Sequence, residues 1–422
     1  MKKRIIFAVA ALLLASFSFS QAVPSNGLSS KPMMIVGSWY TYGPNITQAQ
    51  FRALVSAAAT DGVLSAGYNI VVLEEPHTTL TGSTLSLNTT YFPSDTWSTL
   101  ASYVHSEGMK FGVYATPGAT TCGGNPGEYG NETAIINAWA AAGVDYIEDD
   151  WCSAGTQYGS TQAGAINAFE VMGNAIYSNS SARPILSMIF LYGEYNSTTW
   201  YNALAGANAA RVALDIGANW NSVSTIGFSV ATPWSRGYVA PGYFQFGDQL
   251  MAGCGTCVES GGSLSVAEEE TQFNQWSIMA SPLMIGGDII NMSSTDLNTM
   301  LNSDVIAVDQ DSLGKQGWMM SSVPCGSANC EVWGRPLSGN KWAIELVNLD
   351  SAAHTISANW QVLHLPENVY AVRDLWAHSD LGTMSGYTAS SLGSHASMML
   401  ELTPVSQGEV TTGEKNVGNV SR

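Results

Sequence analysis

From Met33 to about Asp311 two textures alternate along the chain. Short apolar runs end in polar or acidic residues, and longer amphipathic segments separate them. Apolar runs of four to eight residues read as buried strands, and longer segments with helical spacing as helices. Strands are expected at 33–39, 70–73, 110–115, 144–149, 184–190, 211–215, 238–240 and 283–286, with helices at 48–66, 95–107, 133–142, 161–177 and 268–280. That is about eight β-then-α units over about 280 residues, the size of a (β/α)8 barrel. A doubly wound open sheet is the alternative. The position of the polar residues favours the barrel. Trp39, Glu74-Glu75, Tyr114, Asp149-Asp150 and Asp215 each follow an apolar run, at the C-terminal ends of different strands. In a barrel those ends converge on one face, where such folds carry their active sites.

Beyond Asp311 the segments shorten, with Gly, Pro, Ser and Asn between them, notably at 331–333, 341–348, 355–362, 370–376 and 397–402. This texture predicts an antiparallel β-sandwich docked on the barrel. The expected organisation is a signal peptide at 1–22, a (β/α)8 TIM barrel at 27–312, a C-terminal antiparallel β-sandwich at 313–406 and a loose polar tail at 407–422.

Composition narrows the picture. Charged residues make up only 11% of the 422, while 42 Gly, 13 Trp and 17 Tyr are present. That is ample apolar material for a core, unlike a disordered chain. The net charge of −18 argues against nucleic acid as a partner, because no basic patch meets the phosphates. It also suits an acidic medium, where many carboxylates are partly neutralised. Lys2-Lys3-Arg4, the apolar stretch 5–19 and Ser20-Gln21-Ala22 read as a secretion signal cleaved after Ala22. The apolar stretch is too short to span a membrane comfortably, so no membrane association is expected after cleavage. Sequons at Asn45, Asn88, Asn131, Asn179, Asn196, Asn291 and Asn419 agree with export and with glycans on surface loops. Localisation is thus expected to be extracellular. Six cysteines fit an oxidising compartment. By local spacing Cys254 pairs with Cys257 and Cys325 with Cys330, which leaves Cys122 for Cys152; zinc held by Cys254 and Cys257 is the rival reading. The six histidines are scattered and form no metal or Ser-His-Asp constellation. Neither a metal nor a cofactor is expected.

The densest chemistry lies in Gly143–Cys152, an apolar run ending in Glu148-Asp149-Asp150 and a cysteine. Adjacent acids repel, and burial raises their pKa values. A solvated turn or a helix N-terminus would carry them too. Two carboxylates facing each other across a strand-end cleft suit glycoside hydrolysis, one attacking and the other moving the proton. Trp39, Tyr114 and Trp151 could form aromatic platforms for sugar, and Glu74 and Glu75 could bind hydroxyls. Buried barrel ion pairs are the plain alternative.

Several stretches, in order, resemble the α-galactosidase family of retaining glycoside hydrolases, family 27. They are Phe92-Pro93 with LASYVHSEGMKFGVY (100–114), Thr121-Cys122 with 143–152, Arg211-Val-Ala-Leu-Asp215-Ile216, FNQWSIMASPLMIGGDII (273–290), VIAVDQDSLGKQG (305–317), EVWGRPLSG (331–339) and Arg373-Asp-Leu-Trp376. The resemblance implies that Asp150 is the nucleophile and Asp215 the acid/base, with Arg211 as a sugar-binding arginine and Asp248 as an acid near the substrate hydroxyls. It also implies that a Cys122–Cys152 bridge pins the loop carrying Asp150. The expected substrate-binding set is Trp39, Glu74, Glu75, Tyr114, Glu148, Asp149, Arg211 and Asp248, and the expected partner an oligo- or polysaccharide.

The departures from the family pattern fall on the sugar shell. Glu74-Glu75-Pro76-His77 stands where the family has Asp-Asp-Cys-Trp, and the partner cysteine near Pro44 is also gone. Glu148 replaces a lysine and Asp149 an aromatic residue. Phe190-Leu191-Tyr192 replaces Cys-Glu-Trp, with Glu194 as a possible substitute. Tyr243–Asp248 replaces Gly-Trp-Asn-Asp-Pro-Asp. The expected activity is α-galactosidase. The alternatives are the same mechanism on a β-L-arabinopyranoside or an isomaltose-type glucan, a carbohydrate-binding protein without turnover, and a structural cell-wall protein.

Overall fold

The computed structural model describes residues 26–190, 206–229, 239–258 and 261–405. The leader at 1–22, the tail from 407, Glu194, Asn196 and Asn419 lie outside the described residues. Eight parallel strands form one sheet: β1 (Met34–Val36), β2 (Ile70–Leu73), β3 (Lys110–Ala115), β4 (Tyr146–Asp150), β5 (Leu186–Phe190), β6 (Ala209–Arg211), β7 (Phe244–Phe246) and β8 (Leu283–Ile285). Each of β1 to β6 pairs with the next in sequence, and β1 pairs with β8. Leu250, four residues past β7, bridges Ile285 in parallel and closes the ring. This is the expected TIM barrel.

Alternation along the strands sorts the core into two layers. Ile35, Ile70, Val72, Tyr146, Met188 and Phe246 fill the barrel. Val36, Val71, Leu73, Phe111, Val113 and Ile147 face outward into the helix layer. The helices begin where side chains cap them. Helix α1 (Gln48–Thr60) opens with a Thr47/Gln50 capping box, α2 (Trp97–Ser106) with Thr96/Thr99, and α5 (Val266–Ile278) with Ser265/Glu268. Helix α3 (Glu132–Ala142) is stopped by Gly143 at φ +107°, a conformation that costs other residues a Cβ clash. Helix α4 (Gln162–Tyr177) follows β4.

Four boundaries differ from the sequence reading. The helix expected at 48–66 ends at Thr60, because Gly62 turns left-handed (φ +89°) and starts a separate short helix, Val63–Ala66. The first strand stops at Val36, since Trp39–Tyr42 turns helical. The strand expected at 211–215 ends at Arg211. The one expected at 238–240 lies instead at Phe244–Phe246; Ala240 and Tyr243 close a tight turn before it, and Tyr238 is outside the described residues. Phe244 and Phe246 point into the barrel, so burial of two aromatic rings sets the strand.

The second unit contains β9 (Trp318–Cys325), β10 (Ala328–Pro336), β11 (Trp342–Asn348), β12 (His354–Asn359), β13 (Tyr370–Asp374), β14 (Ser379–Met384), β15 (Gly386–Leu392) and β16 (Ser397–Pro404). One antiparallel sheet runs β9-β10-β11-β16-β13-β14, and β12 pairs with β15 in the other. Ile344, Leu346, Trp360, Tyr370, Leu400 and Leu402 form the core between them. The Cys325–Cys330 bridge closes the β9–β10 turn. Strands β9, β14 and β15 were not foreseen. The first two are sheet edges with no fully buried residue, so their apolar alternation is weak.

Helix α5 joins the two units through polar groups. Thr271 donates to the His395 carbonyl, Asn274 donates to Ser397, and the Trp376 indole donates to Asn274 Oδ1 at 2.9 Å. Among the sequons, Asn45 and Asn291 are exposed. Asn179 is not a surface position as expected: it is buried, and its amide donates to the Ile176 and Arg183 carbonyls. Among the described residues no helix is long and apolar enough to cross a membrane.

Candidate active site

At the C-terminal mouth of the barrel lies a cavity of about 230 Å³, lined by Trp39, Glu74, Glu75, Tyr114, Glu148, Asp150, Arg211, Asp215 and Asp248, with Tyr40, Cys122, Phe190, Ile216 and Gln249. Pockets for drug-sized ligands run to ~300–1,000 Å³, so this one suits a single sugar ring. Trp151, expected as an aromatic platform, does not line it and packs against Phe169 instead. Of the ten residues expected to catalyse or to bind substrate, nine come together. The exception is Asp149.

Strand alternation explains the exception. Tyr146, Glu148 and Asp150 share the inner face of β4, while Ile147 and Asp149 share the outer one. Asp149 is 1% exposed, its Oδ1 has no hydrogen-bond partner, and it does not line the cavity. Burial raises its pKa far above the usual range, reinforced by Glu128, Asp150 and Glu132. The expectation that Asp149 binds substrate is thus corrected.

Asp150 closes β4 and is held on both oxygens. The Tyr114 hydroxyl donates to Oδ2 at 2.7 Å, and the Trp151 backbone N–H donates to Oδ1 at 2.7 Å. Burial raises its pKa; Arg211, Tyr114 and the Trp151 N–H pull it back down. The bridge between Cys122 and Cys152 ties the loop after β3 to the end of β4, and the Thr116 hydroxyl donates to the Cys152 carbonyl at 2.7 Å. Cys122, Asp150 and Cys152 are the one close cluster of metal-type ligands among the described residues. Both sulfurs are oxidised, so no thiolate is available to a metal. Cys254 and Cys257 are likewise bridged to each other, which overturns the zinc reading.

Arg211 ends β6 and is buried, with its guanidinium 4.6 Å from the centre of the Phe190 ring. Its Nη1 lies 2.6 Å from Asp215 Oδ1 and 3.2 Å from Asp248 Oδ2. Asp248 has φ +79°, and its carboxylate accepts the Ile216 and Gln249 backbone N–H groups. That folds the 211–216 segment back over Arg211. The Asp215 side chain is 71% exposed at the cavity mouth, where an incoming group can reach it.

Glu74 is engaged by the protein. Its Oε2 accepts the Ser38 and Trp39 N–H groups at 2.5 and 2.7 Å, and Oε1 accepts the Gln249 amide at 2.8 Å. This capture ends β1 and places Trp39 in the wall. Burial pushes Glu74 up to about 7 despite those donors. Glu75 sits at φ +47° and accepts the Gly123 N–H at 2.8 Å and the Asn125 amide at 3.4 Å, so it clamps the loop that carries Cys122. Glu148 is 1% exposed, and its Oε2 has no hydrogen-bond partner.

Among the lining residues missed from sequence, Tyr40 and Gln249 adjoin predicted ones. Tyr40 donates to the Ile216 carbonyl at 2.7 Å, from 176 residues away. No local pattern reports such a contact.

Residues 43–311 match the model of a family described as alpha galactosidase A, and residues 327–402 that of the alpha galactosidase C-terminal beta sandwich domain. The chain is 32% identical to the alpha-galactosidase of Cyamopsis tetragonoloba over 92% of its own length and 90% of that protein's. It is also 32% identical to the alpha-galactosidase of Oryza sativa subsp. japonica, over 90% and 86%. The crystal structure of alpha-galactosidase I from Mortierella vinacea superposes with a TM-score of 0.80 at 26% identity, covering 90% of this chain and 98% of that one. With a matching barrel model, a matching sandwich model and relatives aligned along almost its full length, the chain belongs to the α-galactosidase family of glycoside hydrolases, family 27.

Proposed function

We propose that the protein is a secreted retaining α-galactosidase that releases terminal α-D-galactosyl residues from oligo- or polysaccharides. The observation that carries the mechanism is the placing of Asp150 and Asp215 in one cavity with Arg211 beside them. Asp150, buried and oriented on both oxygens, attacks the anomeric carbon. Asp215, open to the cavity mouth, protonates the departing glycosidic oxygen. A covalent glycosyl ester forms on Asp150 as the aglycone leaves. Asp215, now a carboxylate, takes a proton from water, and that water attacks the anomeric carbon and frees the sugar with its original configuration. Arg211 pulls the Asp150 pKa down and so favours the ionised nucleophile.

A panel of 4-nitrophenyl glycosides tests this reading. Turnover of the α-D-galactoside that disappears in Asp150→Asn supports it. Turnover of a different glycoside alone, such as the β-L-arabinopyranoside, replaces the galactoside while keeping the mechanism. The lysine-to-glutamate departure at Glu148 in the cavity wall favours that second reading. Binding of sugar without any turnover would make the protein a carbohydrate-binding one.

A further inference from the structure

Six carboxyl groups line the cavity: Glu74, Glu75, Glu148, Asp150, Asp215 and Asp248. Among the described residues Arg211 is the one cationic side chain in the same wall. Five of the six have partners for their charge. Glu74 and Glu75 accept N–H groups on both oxygens. Asp150 is held by Tyr114 and the Trp151 N–H. Asp215 and Asp248 share Arg211. Glu148 differs: its Oε2 is sealed from solvent and meets no donor.

A buried carboxylate oxygen without a donor loses its hydration and gains nothing in return, so the charged form is strongly disfavoured. A carboxylic acid avoids that cost. It also changes what the side chain offers a ligand, because it can donate one hydrogen bond and accept others. A lysine at this position would only donate, and a carboxylate only accept.

We propose that Glu148 is a specificity-determining residue that meets the sugar in the reacting subsite as an uncharged carboxylic acid, selecting a neutral pyranoside with a free hydroxyl at that wall. This rests on the hydrolase reading of the cavity. The groups facing Glu148 agree. Burial, reinforced by Glu74 and Asp150, holds its pKa far above the carboxylate range; Arg211 opposes and Asp248 adds to the shift. The Tyr146 hydroxyl on its own strand, which approaches the Glu148 carboxyl, and the Tyr114 hydroxyl on β3 are its other titratable neighbours, and both are pushed up by burial and by Glu148. Neither supplies a positive charge. A sulfated or uronic sugar would bring a further negative charge to a wall already rich in acids, and an amino sugar would have to ionise Glu148 first.

The isosteric variant Glu148→Gln tests this, because an amide mimics the acid and not the carboxylate. Kinetics with 4-nitrophenyl α-D-galactopyranoside and D-galactose binding by calorimetry are measured for wild type, Glu148→Gln and Glu148→Leu from about pH 4 to 9. Glu148→Gln is expected to keep kcat/KM within about threefold at acidic pH. It should also lose the rise in KM that the wild type shows as Glu148 ionises at alkaline pH. Glu148→Leu should raise KM and the galactose Kd about 3- to 10-fold, the loss of one neutral hydrogen bond. A fall of 100-fold or more in Glu148→Gln at acidic pH, or an unchanged alkaline rise in its KM, would overturn the proposal. So would unchanged KM and Kd in Glu148→Leu. If the wild type binds galactose without turning over any glycoside, the hydrolase reading fails, and the calorimetry of the same three proteins still decides the role of Glu148.

Discussion

The Tyr114 hydroxyl donates to Asp150 Oδ2 at 2.7 Å, across neighbouring strands of the barrel. The bond is deeply buried, so it orients the carboxylate and favours its charged form. Tyr114→Phe should lower kcat about 10- to 100-fold, the scale of one hydrogen bond to a charged group. Without the donor the Asp150 pKa rises, so the acidic limb of kcat/KM should move to higher pH. A pH–rate profile of the variant with an unmoved acidic limb would contradict this orienting role.

Asp215 is open at the cavity mouth, as a proton donor to varied leaving groups must be. Asp215→Ala should slow glycosides of poor leaving groups far more than aryl glycosides whose phenolate leaves unaided. Steady-state kinetics on a natural-type disaccharide and on a dinitrophenyl glycoside make the comparison. Equal losses on both would remove the acid/base assignment.

The Cys122–Cys152 bridge and the Glu75 contacts to Gly123 and Asn125 hold the same loop. Replacing both cysteines by serine should reduce kcat more than it raises KM, since the Asp150 environment loosens while most of the cavity wall remains. Non-reducing peptide mapping of the wild type should recover the Cys122 and Cys152 peptides joined.

Stability should peak in mildly acidic solution. Burial pushes Glu345, on the barrel-facing side of β11, up to about 8 and Asp309 at the junction up to about 7, as it does Glu74. Their unfolded values lie near 4, so each contributes stability that is complete below that pH. The contribution is lost as pH rises through the folded value, at about 1.4 kcal/mol per unit of difference. Thermal unfolding should show Tm falling from about pH 5 to about pH 8. Glu345→Gln should raise Tm at about pH 8 and change it little at about pH 5. A pH-independent Tm in the wild type would rule this out.

Much of the barrel was readable from the chain, because its strands are short runs of Val, Ile and Leu buried on both faces and its helices start at Thr and Ser caps. The strand over 70–73 and the strand over 110–115 sit where the apolar runs place them. The strands that moved, β6 and β7, are three residues long and are set by contacts across the barrel. The edge strands β9 and β14 escaped because an exposed strand needs no apolar alternation.

By itself, the sequence showed acids and aromatics at the ends of successive apolar runs, and its resemblance to a family of glycoside hydrolases implied the reaction class and pointed to Asp150 and Asp215 among them. It could not tell which of the remaining acids meet the cavity, since that depends on which face of its strand a carboxylate occupies and which donors reach it. Tertiary structure decided that Glu148 and Asp150 look into the cavity while Asp149, between them, looks away. It also decided that Glu74 and Glu75 spend hydrogen bonds on the scaffold, and that Glu148 lines the cavity while its Oε2 lies sealed from solvent without a donor. Alternation is a local property of a strand. Solvation and pairing of charge belong to the closed barrel, where residues as far apart in the sequence as Thr41 and Gly286, 245 positions, come within hydrogen-bond distance.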